Sequence, residues 1–196
     1  GNIRQAIMQG EAIPDITKRI NKIINVKYNQ AEALARTATS GLVNRVRDEI
    51  YKENEDIFKG YKFITTIDTR TSDICMGYAD KEFDINHNPI GHSLPFREPP
   101  LHYQCRSIIV PITKSYKELG LDTKEISGLT RSTLNGAVAQ NMTMQKWLEE
   151  QPKEIVEKAL GKGRAELFIK GKITLTDLIN KNGETLTIKE LEKLHL

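Results

Sequence analysis

The sequence predicts an α+β fold, mainly helical, with a small antiparallel sheet and a long clasped loop. Three observations lead there. Apolar residues recur at helical spacing through the first sixty positions. Two runs rich in β-branched and aromatic residues stand in the middle of the chain. Between those runs lies a stretch dense in Gly, Asn and Pro, entered near Cys75 and closed near Cys105.

In chain order, "IPDITKRINKIIN" (13–25) sets Ile13, Ile16, Ile20, Ile23 and Ile24 at helical spacing, with Pro14 and Asp15 marking a helix start. A second stripe, Leu34, Ala38, Leu42, Val46 and Ile50, steps by four through the next helix. Gly41 either weakens that helix by about 1 kcal/mol or admits a close neighbour. "YKFITTID" (61–68) and "CRSIIVPI" (105–112) read as strands, the second ending near Pro111. The loop between them carries a short helix near 72–78 and a brief strand at "KEF"; so long a loop is expected to be functional or clamped. Residues 114–141 form a weakly patterned connection. From Thr143 onward short helices follow, punctuated by Pro152, Gly161, Gly171 and Asn182-Gly183, with Thr187 heading the last. Three regions result: 1–60 helical, 61–142 a small sheet with a Cys/His-clasped loop, and 143–196 short helices. Residues 61–196 are expected to make one domain with the helices packed on it.

Composition narrows the function. With 38% hydrophobic and 28% charged residues, the 196-residue chain can bury a core of its own. No apolar run approaches the roughly 20 residues of a membrane span, so no membrane is expected as a partner, and the first residues lack the features of a signal peptide. Two cysteines are too few for a secreted disulfide framework, which favours a cytoplasmic origin. The chain opens on Gly1 rather than Met, as a fragment, a processed product or a tagged chain would. The net charge of +3 is spread along the chain: nine basic against seven acidic residues in the last 46, ten against eight in the first 60. Solvated surfaces account for that spread. Lys153, Lys158, Lys162, Arg164, Lys170 and Lys172 are candidate phosphate contacts for non-specific DNA binding.

Cys75, His102 and Cys105 are the chemistry-bearing group. Two thiolates and an imidazole suit zinc, which takes four ligands in a structural site; the fourth could be His92, His87, Asp80 or water. Metal binding contributes roughly 10–16 kcal/mol in zinc-finger peptides. A Cys75–Cys105 disulfide, closing a thirty-residue loop, would instead contribute about 3.5 kcal/mol. A Cys-His nucleophile pair is a third reading, opposed by the lack of an oxyanion motif and by the opposite faces that a three-residue step gives on a strand. Two buried thiols beside a surface histidine are the fourth. No Gly-rich phosphate loop, HExxH, GxSxG or CxxC is present. Asp68 and Asp73 read as a turn residue and a helix cap, and Arg36 as a solvated, sheet-facing or functional arginine.

"ARTATS" on a long helix, then "TTIDTRTSDICMGYADKEF", then "LPFREPPLHYQCRSIIVP", resembles the Mu F-like minor head protein family of tailed bacteriophages. "MQKWLEEQPKEIVEKALGKGRAELFIKGKITLTDLINKNGETLTIKEL" is similar to that family's closing segment, so the resemblance runs over roughly residues 30–194. It implies family-motif structural positions at Arg36, Asp68, Pro100, Arg106, Trp147 and Arg164. It also implies a CxxC–HxxC zinc site falling on Ser72, Cys75, His102 and Cys105. Here the chain departs from the pattern, because a serine hydroxyl is a poor zinc ligand. The site is then incomplete, finished by water or His92, or replaced by a disulfide. The implied role is structural rather than enzymatic: a minor virion component inside the capsid near the portal, assembled in the host cytoplasm. The implied partners are the portal protein, the major capsid or scaffolding protein, and packaged double-stranded DNA. A nuclease or nucleotide-modifying toxin-like enzyme is the alternative.

Overall fold

The structure, a computed structural model, describes residues 2–123, 130–133, 136–139 and 141–194. It is an α+β protein, predominantly helical, with a small four-stranded antiparallel sheet. The chain parts into two bodies, Gly1–Glu53 with Arg97–Ile108, and Asn54–Phe96 with Ile109–Leu196. Among the described residues no helix is long and apolar enough to cross a membrane.

The first body holds α1 (Asn2–Met8), α2 (Ile13–Ile24) and α3 (Tyr28–Glu53). Pro14 sits in the first turn of α2, and Asn25 ends that helix in the left-handed region at φ 48°. The buried core is Ala6, Ile16, Ile20, Ala31 and Ala35. This corrects the expected apolar stripe. Val46 and Ile50 are half exposed, at 51% and 50%, as are Ile23 and Ile24. The large side chains suggested one face of α3, but the small ones at 31 and 35 let α2 approach closely, and that face is the buried one. The "RTATS" run is tolerated inside α3 because Thr37 and Thr39 donate to the carbonyls of Ala33 and Ala35, at 2.6 and 2.9 Å. Gly41 has the close neighbour its position called for: an added Cβ would lie 3.4 Å from Cδ of Pro100.

The second body holds β1 (Phe58–Ile64), α4 (Asp73–Tyr78), β2 (Glu82–Asp84), β3 (Pro89–Ile90) and β4 (Ile108–Thr113), in the sheet order β3-β2-β1-β4. β1 and β2 pair antiparallel with Tyr61 opposite Phe83. Both expected strands are displaced. The first begins at Phe58, within the region read as wholly helical, and ends before Thr65, because Asp68 turns the chain by accepting the Arg70 N–H at 2.9 Å. The second begins only at Ile108, so Cys105 lies ahead of it. The stretch after β2 is held by aromatic packing: Phe83 meets Phe96 edge-on at 5.1 Å, and His87 stacks on Phe96 at 3.8 Å.

Within the connection 114–141, β5 (Thr130–Thr133) and β6 (Gly136–Ala139) pair as a hairpin; residues 124–129, 134, 135 and 140 lie outside the described residues. Then come α5 (Met144–Glu149), α6 (Lys153–Leu160), α7 (Lys162–Ile169), a 3-10 turn (Leu175–Leu178) and α8 (Ile188–Lys193). The expected punctuation is in place. The Thr143 hydroxyl accepts from Lys146 N, Pro152 precedes α6, and Thr187 with Glu190 closes a capping box on α8. These helices bury Trp147, Leu148, Val156, Leu160, Phe168, Leu178 and Leu191 with Ile67 and Met76.

Candidate metal centre

In the second body, the chain reaches Cys75 through a turn built on Asp68, whose Oδ1 takes the Arg70 N–H and whose Oδ2 lies 3.4 Å from the Arg70 guanidinium. Thr71 donates to the Thr66 carbonyl at 2.5 Å. Ser72 occupies the position before the first turn of α4, yet its hydroxyl makes no capping bond. Its Oγ is buried and has no hydrogen-bond partner among the described residues. Cys75 follows three residues later, buried at 2% exposure. Asp73, in the same turn, has its carboxyl raised by burial, an effect opposed by Arg164. Arg164 on α7 reaches Asp73 at 2.9 Å and the Leu186 carbonyl at 3.0 Å, so it ties the first turn of α4 to the C-terminal helices.

In the first body, Pro99 and Pro100 lead into His102–Cys105. The Cys105 N–H donates to the His102 carbonyl at 3.2 Å, and Gln104 takes φ 57°, so His-x-x-Cys is a tight turn. The opposite-face argument drawn from a strand therefore does not hold. The Gln104 N–H donates to Thr37 Oγ1 at 2.9 Å, seating the turn on α3. His102 Nδ1 lies 2.8 Å from the Tyr103 carbonyl. A carbonyl only accepts, so Nδ1 carries the proton, and in neutral imidazole Nε2 is the ligating nitrogen. Cys105 is buried at 4% exposure, and both cysteines are thiols.

Among the described residues, Cys75 in the second body and His102 and Cys105 in the first are the candidate ligand set, by donor type. His92 does not complete it. Its Nε2 donates to the Glu82 carbonyl at 2.8 Å and its Nδ1 accepts the Leu94 N–H at 3.2 Å, which leaves no lone pair for a metal. Burial lowers its pKa, as expected for a ring held neutral in a structural role. Asp80 Oδ2 lies 3.4 Å from the Met144 N–H.

The remaining sequence candidates are dispersed. Arg36 is half exposed and pairs with Glu32 one turn earlier at 2.8 Å. Arg106 is exposed, Pro100 packs over Gly41, and Trp147 is core. Lys158, Lys162, Lys170 and Lys172 are exposed, with Lys170 held by Glu166 at 2.5 Å. Sequence reasoning missed Thr37 as the seat of the His-x-x-Cys turn. It also missed that the hydroxyl of Ser72 would be buried and unsatisfied. "ARTATS" was the signal for the first; nothing local signals the second.

Comparison with known protein families matches residues 1–110 to the family described as Phage Mu protein F like protein. The match takes in Arg36, Asp68, Ser72, Cys75, Pro100, His102, Cys105 and Arg106; the segment resembling the family's closing part lies beyond it. No curated protein and no solved structure matches the chain.

Proposed function

Since this chain belongs to the phage Mu protein F-like family, which suggests a phage head-morphogenesis protein, we propose that it is a structural minor head protein of a tailed bacteriophage. It acts at the portal in procapsid assembly, DNA packaging or genome delivery, and it turns over no substrate. Its partners are the portal protein and the major capsid or scaffolding protein, with non-specific contact to packaged double-stranded DNA. It resides inside the capsid near the portal after assembly in the host cytoplasm. The family match over more than half of the chain carries this reading.

Zinc is the metal the donor set suits. Two thiolates from Cys75 and Cys105 and the Nε2 of His102 would bind it, and a metal so held supplies a structural cross-link rather than chemistry. Ser72, where the family resemblance implies a cysteine, carries a buried hydroxyl with no hydrogen-bond partner among the described residues, and a serine hydroxyl is a poor zinc ligand. Elemental analysis beside a thiol count tests this directly. One zinc with two thiols supports it, whereas no zinc, with either two thiols or none, removes it. Ser72→Cys should slow loss of zinc to a chelator.

For the role itself, the chain is co-expressed with the portal and major capsid proteins and followed into heads. Absence from heads and from portal complexes refutes the structural reading. Nuclease activity abolished by His102→Ala would replace that reading with the enzymatic one.

A further inference from the structure

We propose that a cavity in the first body is a docking site for an apolar peptide segment of a partner protein that carries one carboxylate; this goes beyond the head-protein reading and does not depend on it. The cavity holds about 710 Å³, within the range of about 300–1,000 Å³ typical of ligand sites. Ile3 and Ile7 of α1, Ala38 and Leu42 of α3, and Pro99 and Pro100 give it apolar walls. Three charged side chains line it as well: Arg4, Arg45 and Glu98. Among the described residues, none of the three side chains makes a hydrogen bond or an ion pair. One carboxyl oxygen of Glu98, Oε1, is buried with no partner. Burial is the main cause that raises the Glu98 pKa, with Asp48 adding to it and Arg45 opposing.

A carboxyl group half withdrawn from water without a donor costs the isolated fold, and a ligand that supplies the donor recovers that cost. The three charged groups also define the ligand's chemistry. Glu98 needs a donor, and Arg4 and Arg45 need acceptors. A phosphate offers acceptors only and is repelled by Glu98, so neither inorganic phosphate nor duplex DNA satisfies the set. A simple cation offers donors only and leaves both guanidiniums unmet. A peptide carries an N–H and a C=O along its backbone, so it meets both needs, and its apolar side chains match the walls. Two guanidiniums against one carboxylate leave one positive charge in excess in the lining, which a single carboxylate of the peptide balances. Asp48 and Glu49 also lie near Glu98, but Lys52 engages both, at 2.7 and 3.5 Å, and none of those three lines the cavity.

The test selects from a random heptapeptide display library on the immobilised full chain and repeats the selection on Ala38→Trp, whose indole fills the cavity. Wild type should enrich apolar peptides with one Asp or Glu, and Ala38→Trp should not. Synthetic copies of the enriched peptides, titrated by calorimetry, should bind about tenfold or more weaker to Arg4→Ala and to Arg45→Ala, and weaker to Glu98→Ala. Lys22→Ala, an exposed basic site outside the lining, should bind as wild type does. Thermal midpoints show that each variant folds; if Ala38→Trp does not, the arginine variants carry the test. No enrichment on wild type overturns the proposal, as does enrichment of basic or uncharged peptides. Undiminished binding by both arginine variants, or by a folded Ala38→Trp, overturns it as well. Displacement of the peptide by inorganic phosphate or duplex DNA assigns the arginines to phosphate and overturns it too. None of these outcomes touches the head-protein reading, which co-expression with portal and major capsid proteins tests separately.

Discussion

The two bodies reach stability by different means. The apolar cluster buried in the first, among the described residues, is alanine and isoleucine: Ala6, Ile16, Ile20, Ala31 and Ala35. The second buries Trp147, Phe168, two methionines and several leucines. Small side chains allow close helix approach but remove little apolar area from water, at roughly 25 cal/mol per Å². The first body therefore leans on contacts that fix backbone, such as Thr37 under Gln104 and Pro100 over Gly41. The largest test of this contrast is Trp147→Ala, which should destabilise by about 3–5 kcal/mol in urea unfolding. Trp147→Phe should lose far less, because Nε1 has no hydrogen-bond partner to forfeit among the described residues. A Trp147→Ala loss no greater than that of an exposed-site substitution would end the comparison.

How much of this was legible depended on whether the signal was local. The helix ends were: Thr143, Pro152, Gly171 and Thr187 act through their own backbone neighbours, and each sits where its chemistry places it. The buried face of α3 was not, because Ala31 and Ala35 are chosen by how closely α2 approaches, and size alone pointed to Val46 and Ile50. In the candidate metal centre, the ligand types were legible from Cys75, His102 and Cys105. The exclusion of His92 was not, since it depends on carbonyl and amide partners at Glu82 and Leu94. The tight His102–Cys105 turn was likewise hidden, because the left-handed residue there is Gln104 and not the glycine that would announce it.

Two helical glycines sharpen the contrast at the next level of effect. A Cβ on Gly77 in α4 would lie 2.6 Å from Cδ1 and Cγ1 of Ile179. Gly77→Ala should therefore cost about 1–3 kcal/mol through overpacking in the second body. A Cβ on Gly41 meets Pro100 at no less than 3.4 Å. Gly41→Ala should be neutral, or stabilising by up to about 1 kcal/mol from helix propensity. Equal losses at both glycines, measured by thermal unfolding, would show the first body to be as tightly packed as the second. Below these lies Thr187→Ala, which removes the hydroxyl accepting from Glu190 N and should cost about 1 kcal/mol.

The smallest expected effect sets two carboxyls of the second body against each other. Glu118 takes hydrogen bonds from the Ser115 N–H at 2.6 Å and from Lys59 at 3.1 Å, which lower its pKa from 4.5 to about 2. A depressed carboxyl stabilises the fold above its unfolded pKa, and that contribution drains away as pH falls from 4.5 toward about 2. Asp73 is shifted upward, chiefly by burial, so its share of the balance has the opposite sign: the fold gains as pH drops through its raised pKa. Glu118→Gln should flatten the acid limb of stability against pH, and Asp73→Asn should steepen it. Carboxyl-carbon NMR titration of the wild type assigns each shift directly. A Glu118 resonance titrating at the ordinary glutamate value would mean that the Ser115–Lys59 clamp does not hold in solution, and Glu118→Gln should then leave the acid limb unchanged.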